Sequence, residues 1–498
     1  MILLSYNSES FEYDAYALLT SFYPEAETKQ CLSDAPTAAA DELHIHASGD
    51  GEVLLLFKKG ELFTRDVRYE FRAEQPGSHE WKWAFKLFLY DSLADYSGRS
   101  LPWGGLTGVR PTKLILGTAR EQGLKEDALV SFMREHYRVS EAKARLGYRI
   151  AMLEDSLLTP FRDGGYSLYI GIPFCPSTCL YCSFLSYPIA AHQKKVDEYL
   201  GCVEKELAAL PEIMGGEAPD TVYIGGGTPT ALSAEELERL LEMLRTYVPL
   251  KGEGALAFRP GIGGLREFTV EAGRPDSITA DKLRVMKKYG VDRISVNPQT
   301  FKDETLKLIG RHHTTEQLRE AFGLARSEGF DNINMDLILG LPGESPADVE
   351  HTLACAEELS PDSLTVHSLA IKRASRMKEW IAQHGAISGM DYEHAMGMAQ
   401  EAAARMNMQP YYLYRQKNMA GALENTGFAR EGKYGLYNII IMEEVQSIYA
   451  IGAGTVSKRV YTDGSGRIER CDTHKDLKLY LEGISEMIER KRKLFGRE

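Results

Sequence analysis

The sequence predicts an α/β protein with a partial (β/α)6 barrel at its centre, an N-terminal α+β domain before it and a mostly helical C-terminal domain after it. Three observations predict this. Between residues 166 and 375, six apolar, β-rich runs alternate with helical stretches. Strands alternating with helices imply a parallel sheet with right-handed crossovers. A closed eightfold barrel takes roughly 250 residues, so this region suits a partial, open barrel of the TIM type. The flanks have another rhythm, with hairpin-like strands before the barrel and helical spacing after it.

Taken in order, residues 1–165 form the α+β domain with a helical linker. Strand-like runs lie at 1–6 and 43–46, and strands 53–58 and 61–70 are joined by a turn at Lys59-Gly60. Residues 81–96 have helical spacing, 101–113 read as an ordered Gly- and Pro-rich loop, and a helical region spans 126–158. The barrel region, 166–375, has its strands at 167–172, 221–224, 267–271, 293–296, 332–338 and 363–369. Val196, Leu200, Val203 and Leu207 share one helical face. Ser233-Ala-Glu-Glu236 is a capping box, and Gly290 is a C-terminal stop. Residues 376–498 are assigned to a helical domain covering the substrate side.

Composition excludes several classes. Among 498 residues, 58 Lys and Arg against 71 Asp and Glu give a net charge of -13. Nucleic-acid binding needs clustered cations to displace counterions, so no nucleic-acid partner is expected. No run approaches the roughly 18 apolar residues of a membrane span. Residues 1–8 lack the basic start and long apolar stretch of a targeting signal. Seven cysteines are too sparse for a disulfide scaffold, and three crowd into residues 175–182. That pattern points to a reducing cytoplasm and a metal site. A monomer is expected.

The three are Cys175, Cys179 and Cys182, in Tyr-Ile-Gly-Ile-Pro-Phe-Cys-Pro-Ser-Thr-Cys-Leu-Tyr-Cys, just after the first barrel strand. That is the C-terminal mouth, where such folds place chemistry. Thiolates at this spacing can hold one cluster, and three ligands for four irons leave one iron open. Two plainer readings are buried structural cysteines, or zinc with His192 as a distant fourth ligand. Cys202 and Cys355 read as core residues of helices.

Polar groups recur at the later strand ends. Gly225-Gly226-Gly227-Thr228-Pro229 follows the second strand, and its glycines allow close backbone approach to a ligand. Glu271 ends the third strand, before Ala-Gly-Arg-Pro, and Gln299 follows the fourth. Asp336 stands in the fifth, where a lone acid needs a partner or a ligand. Its plain alternative is a pair with Arg293 or Arg311.

Together these motifs resemble the oxygen-independent coproporphyrinogen III oxidase (coproporphyrinogen dehydrogenase) family of the radical S-adenosylmethionine (SAM) superfamily. The likeness is strong over about residues 165–375. Residues 103–113, 415–421 and 442–458 are similar to a longer subgroup that carries an extra N-terminal domain. The resemblance implies a barrel of the radical SAM kind, a 4Fe-4S cluster on Cys175, Cys179 and Cys182, and SAM chelated to the open iron. Tyr169, Gly226 and Glu271 are then expected to contact that SAM. Tyr181, Gly227, Thr228, Gln299, Arg311, Asp336 and Ala370 match positions lining a second SAM pocket. The implied reaction is oxidative decarboxylation of coproporphyrinogen III propionates to vinyls, giving protoporphyrinogen IX in heme biosynthesis. A reduced flavodoxin- or ferredoxin-type protein is the implied electron donor. No catalytic acid or base is assigned. Two departures keep other chemistry open, such as methyl transfer on a tetrapyrrole or a non-enzymatic heme carrier. Gly171 stands where many members have His, and Phe184 where many have a further Cys. For an acidic substrate, Lys372, Arg373, Arg376, Arg415 and Lys417 are the candidate cations, because guanidinium and ammonium groups pair carboxylates.

Overall fold

The computed structural model describes residues 1–24, 26–37, 39, 41–47, 52–60, 62–70, 78–248, 265–372, 375–385, 390–416 and 423–496. The chain divides into two compact units, 1–151 with 413–424, and 152–412 with 425–498.

The first unit is built on five strands: β1 (Ile2–Tyr6), β2 (Thr28–Leu32), β3 (Asp41–Ala47), β4 (Glu52–Lys59) and β5 (Leu62–Glu70), in the order β2-β1-β3-β4-β5. β1 pairs parallel with β2 and β3, and β3, β4 and β5 form an antiparallel meander. Alternation in β4 buries Val53, Leu55 and Phe57 on one face. They pack with Phe11, Leu18 and Phe22 around helix Glu12–Phe22 and with Trp81, Phe85 and Leu89 of helix His79–Ser97. Ser78 caps the latter helix by accepting from the Trp81 N–H at 3.1 Å. The stretch 101–113 is a loop as far as Arg110, and Pro111 then opens helix Pro111–Gln122.

The second unit holds the barrel strands β6 (Tyr166–Ile172), β9 (Thr221–Gly226), β10 (Glu267–Glu271), β11 (Arg293–Ser295), β12 (Ile333–Leu339) and β13 (Ser363–Ser368). Short β7 (Phe174–Cys175) and β8 (Tyr187–Pro188) pair separately. The six barrel strands are parallel neighbours in chain order. Their runs are continuously apolar because both faces are covered: Leu168, Ile170, Val222, Ile224, Val270, Ile294, Met335, Leu364 and Val366 are fully buried. The helical face with Val196, Leu200, Val203 and Leu207 is buried in helix Ile189–Ile213. The capping box at Ser233 and Glu236 forms reciprocally ahead of helix Ala234–Tyr247. Gly290, at φ +81°, follows helix Ala280–Lys288.

The C-terminal region, expected to be mostly helical, also supplies five strands: β14 (Gln409–Tyr414), β15 (Asn425–Ala429), β16 (Ser447–Ile451), β17 (Val456–Val460) and β18 (Ile468–Asp472). The large sheet runs β14-β15-β13-β12-β11-β10-β9-β6-β16-β17-β18. β16 joins parallel to β6 as a seventh parallel strand, while β15 pairs antiparallel with β13 and β17 with β16. The sheet is therefore open, with an antiparallel flap on each side. No helix among the described residues is long and apolar enough to cross a membrane.

Candidate active site

The cysteines sit on a turn pinned by backbone. After β6 the chain makes the two-residue β7, which pairs parallel with β8 at Phe174–Tyr187 and Cys175–Pro188, closing the intervening turn. The Gly227 and Thr228 N–H groups donate to the Ile172 and Phe174 carbonyls, each at 2.7 Å, tying the glycine loop after β9 to this turn. The Cys182 N–H donates to the Cys179 carbonyl at 3.2 Å, and the Leu180 N–H to the Ile309 carbonyl at 2.9 Å. The Thr228 hydroxyl donates to Cys175 Sγ at 3.4 Å. Burial pushes the Cys175 thiol up to about 11 against that bond, with Cys182 and Cys179 close enough to add to the effect. Burial also raises Cys182. All seven cysteines are free thiols. Among the described residues, no three His, Cys, Asp or Glu side chains converge as one metal ion requires. His192 turns instead to the Pro188 carbonyl at 3.0 Å, and its ring lies tilted at 60° against Tyr187. Cys202 and Cys355 are buried in helices Ile189–Ile213 and Pro346–Leu359.

The glycine loop is shaped by lack of space. Gly226 has φ +107°, and a Cβ there would lie 3.4 Å from the Tyr169 hydroxyl. A Cβ on Gly227 would meet the Phe174 and Ile172 carbonyls at 2.7 and 2.9 Å and Cys175 Sγ at 3.0 Å. Only glycine fits where backbone runs this close to a sulfur. Beside the loop, Tyr223 donates to Glu271 Oε1 at 2.6 Å. The Tyr169, Tyr223 and Tyr437 rings stack with centroids 4.6 to 6.1 Å apart. Burial among them pushes the Glu271 carboxyl up to about 7, although the Tyr223 hydroxyl opposes it. Tyr169, Gly171, Ile172, Phe184, Gly226 and Thr455 help line a small cavity of about 80 Å³. At Gly171 a Cβ would lie 2.7 Å from Thr455 Cγ2, so a side chain there would require Thr455 to shift.

Further along the mouth, Gln299 holds φ +66°, fixed by its N–H to the Asp336 carbonyl at 2.9 Å and by the Ile338 N–H to its own carbonyl at 3.0 Å. Its buried Oε1 has no hydrogen bond. Arg311 donates from Nη1 to the Tyr181 hydroxyl at 3.2 Å and from Nη2 to the Gly273 carbonyl, leaving Nε without a bond. His313, nearby, makes no hydrogen bond through either ring nitrogen, and burial lowers it to about 3. Asp336 pairs with neither arginine. It accepts from Asn297 at 2.8 Å and Asn334 at 2.7 Å, and His367 Nε2 lies 3.9 Å away. Ala370 is half-buried just beyond β13.

The candidate substrate cations fare differently. Lys372 lies 5.4 Å over the ring of Phe184, itself 69% exposed, and burial lowers the lysine. Arg376 donates to the Thr178 carbonyl in the cysteine turn. Arg415 is a correction: it is buried in the first unit, donating to the Leu106 carbonyl and lying 5.9 Å over Trp103, so it is no open clamp for a carboxylate. Burial is what removes it, as its lowered affinity for a proton, about 10, reflects. Arg373 and Lys417 lie outside the described residues. One residue escaped the sequence reading. Arg274, only 4% exposed, reaches Cys179 Sγ at 3.8 Å. Its signal was the Arg-Pro-Asp that follows Glu271.

Comparison with known proteins places this geometry. A family model for the radical SAM superfamily matches residues 169–356. The oxygen-independent coproporphyrinogen-III oxidase-like protein HemZ of Bacillus subtilis is 41% identical over 398 residues, 78% of this chain and 76% of that protein. Heme chaperone HemW of the same organism is 33% identical over 288 residues, 58% of this chain and 69% of that one. In fold, the solved coproporphyrinogen III oxidase (HemN) of Escherichia coli matches with a TM-score of 0.50 at 23% identity, over 68% of this chain and 73% of that one. Radical SAM proteins work with a 4Fe-4S cluster and SAM. This chain belongs to the radical SAM superfamily, within its oxygen-independent coproporphyrinogen III oxidase-like family.

Proposed function

We propose that the protein is a radical SAM oxidoreductase that decarboxylates coproporphyrinogen III propionates to vinyls. The cluster is assigned to Cys175, Cys179 and Cys182. The fit rests on the donor set: three thiols on one turn, with a glycine backbone packed against one of them. Three thiols with no fourth His, Cys, Asp or Glu in the same turn would hold a cluster and leave one of its irons open. A coordinating thiol is deprotonated by its metal, which overrides the raised thiols of Cys175 and Cys182. Bound together, cluster and SAM supply a 5′-deoxyadenosyl radical that takes a hydrogen atom.

The chain's own part is to bind and orient. Tyr169, Gly226 and Glu271 are assigned to the SAM on the cluster, and Tyr181, Gly227, Thr228, Gln299, Arg311, Asp336 and Ala370 to a second SAM. The observation that carries the reading is the orphaned Gln299 Oε1 with the orphaned Arg311 Nε. Buried polar atoms without partners cost about 1–3 kcal/mol each and mark a place for a ligand. Lys372 and Arg376 remain as cations for substrate carboxylates. Loss of hydrogen from the propionate β-carbon, then of carbon dioxide and one electron to an acceptor, leaves the vinyl.

A second reading, a heme carrier, draws on exposed Phe184 beside the third cysteine and on the likeness to HemW. Anaerobic incubation with coproporphyrinogen III, SAM and a reductant, followed by mass analysis, separates the two. The oxidase reading expects deoxyadenosine and a product lighter by carbon dioxide. Tight heme binding, with SAM cleavage indifferent to the porphyrinogen, would establish the carrier instead.

A further inference from the structure

We propose that Arg274 is a positioning residue that raises the reduction potential of the iron–sulfur cluster, resting on the assignment of that cluster to Cys175, Cys179 and Cys182. The guanidinium is buried and its two edges are used differently. Nε and Nη2 grip the Asp276 carboxylate at 3.0 and 2.8 Å. This fork fixes the plane of the group, so Nη1 is aimed at the cysteine turn. There it donates to the Ser177 hydroxyl at 3.1 Å and carbonyl at 3.3 Å and to Cys179 Sγ at 3.8 Å.

The Asp276 pair alone would neutralise the arginine, so the reach to Cys179 calls for its own reason. A neutral thiol is a weak acceptor, whereas a thiolate bound to iron carries charge and accepts strongly. The contact therefore gains strength only when the turn holds metal. Potentials of such clusters follow net charge, hydrogen bonds to the sulfurs and solvent exposure. Reduction adds one electron from an external donor and breaks no bond, so the added negative charge is stabilised by a permanent cation nearby in a dry site. Arginine cannot lose its proton to escape this role. Asp276 partly offsets the cation, and Arg311 and His313 also bear on that carboxylate. The pair thus predicts opposite effects from its two members.

The test is a redox titration of the reconstituted full-length protein, followed by electron paramagnetic resonance, with neither SAM nor substrate present. At the potential where wild type is half reduced, Arg274→Gln should show a reduced-to-oxidised ratio at least tenfold lower, a shift of 59 mV to more negative values for one electron. Arg274→Lys should recover most of that shift, and Asp276→Asn should move the potential the other way. A merely structural clamp would make Arg274→Gln and Asp276→Asn shift alike, or leave both unmoved with clusters intact, and either result overturns the inference. If Arg274→Gln retains no iron, Asp276→Asn decides, because it keeps the cation. Wild-type protein that binds no iron overturns the cluster assignment itself, and this inference with it.

Discussion

Tyr223 donates its phenolic hydrogen to Glu271 across 2.6 Å, and the two side chains close the floor beneath the glycine loop. The bond partly stabilises a carboxylate that burial disfavours, and the result is a carboxyl raised from 4.5 to about 7. A raised acid is protonated when folded but ionised when unfolded between those values. Its contribution to stability is therefore complete below pH 4.5 and is lost as pH rises through about 7. Binding of a cationic ligand favours the ionised form, so SAM affinity should rise up to tenfold per pH unit below about 7 and level off above it. Calorimetric titration between pH 5.5 and 8.5 checks this. Glu271→Gln should flatten the profile while leaving iron content unchanged, and Tyr223→Phe should move the turning point upward. A flat wild-type profile would remove Glu271 from SAM binding.

Gly227 is expected to be irreplaceable. The Cβ of Gly227→Ala would press on two carbonyls and on Cys175 Sγ, and overpacking of this kind costs about 1–3 kcal/mol. Iron bound after reconstitution should fall sharply. Gly201→Ala is the control, since Gly201 lies in helix Ile189–Ile213 with open space around it. That change should stabilise by about 0.5–1 kcal/mol, as helix propensity dictates. Equal iron content in both variants would show that the loop yields.

What the sequence disclosed, and what it hid, follow from physical causes. The six barrel strands were legible because parallel strands covered on both faces read as unbroken apolar runs, as at Leu168 to Ile172. β2 was not, because Thr28–Leu32 is an edge strand with no buried residue and no alternation. Helix Glu12–Phe22 carries its pattern only in Ala15, Leu18, Leu19 and Phe22, a short stripe among exposed and half-buried residues. β16 escaped because its place beside β6 is set by pairing across most of the chain. At the site, clustered cysteines and glycines announced themselves by spacing. Arg274 did not, because its reach to Cys179 is a tertiary fact, and Arg415 misled because a buried arginine looks like an exposed one in sequence.

Glu206 and Lys491 form a completely buried ion pair. Glu206 also accepts from the Tyr480 hydroxyl at 2.5 Å and from the Gly452 N–H at 3.0 Å, while Lys491 donates to the Ala450 carbonyl. The pair ties helix Ile484–Phe495 to the end of β16. Lys491→Met strands a buried carboxylate and should cost about 3–5 kcal/mol in urea denaturation. Glu206→Gln with Lys491→Met should recover a large part of that loss, because no buried charge is left alone. A double variant no more stable than Lys491→Met would mean that packing, not charge, governs the site.

Gln299 and Arg311 give the sharpest test of a second SAM. Gln299 sits in the left-handed region with Oε1 buried and unbonded, and Arg311 Nε is likewise unbonded. Both features cost stability in the free protein, and such costs gather where a ligand repays them. Gln299→Leu removes the orphaned oxygen at similar size, so the ligand-free protein should be as stable or gain about 1 kcal/mol. The same change should lower SAM bound at saturation from two molecules per chain to one, measured by anaerobic equilibrium dialysis. Arg311→Lys, which loses the fork to Tyr181 and Gly273, should do likewise with the cluster intact. Leucine in place of Gln299 has no polar reach, so retention of two SAM molecules in that variant would assign the orphaned oxygen to another ligand. A wild-type stoichiometry of one would leave the second pocket without support, and the cluster assignment would stand apart from that result because it depends on Cys175, Cys179 and Cys182.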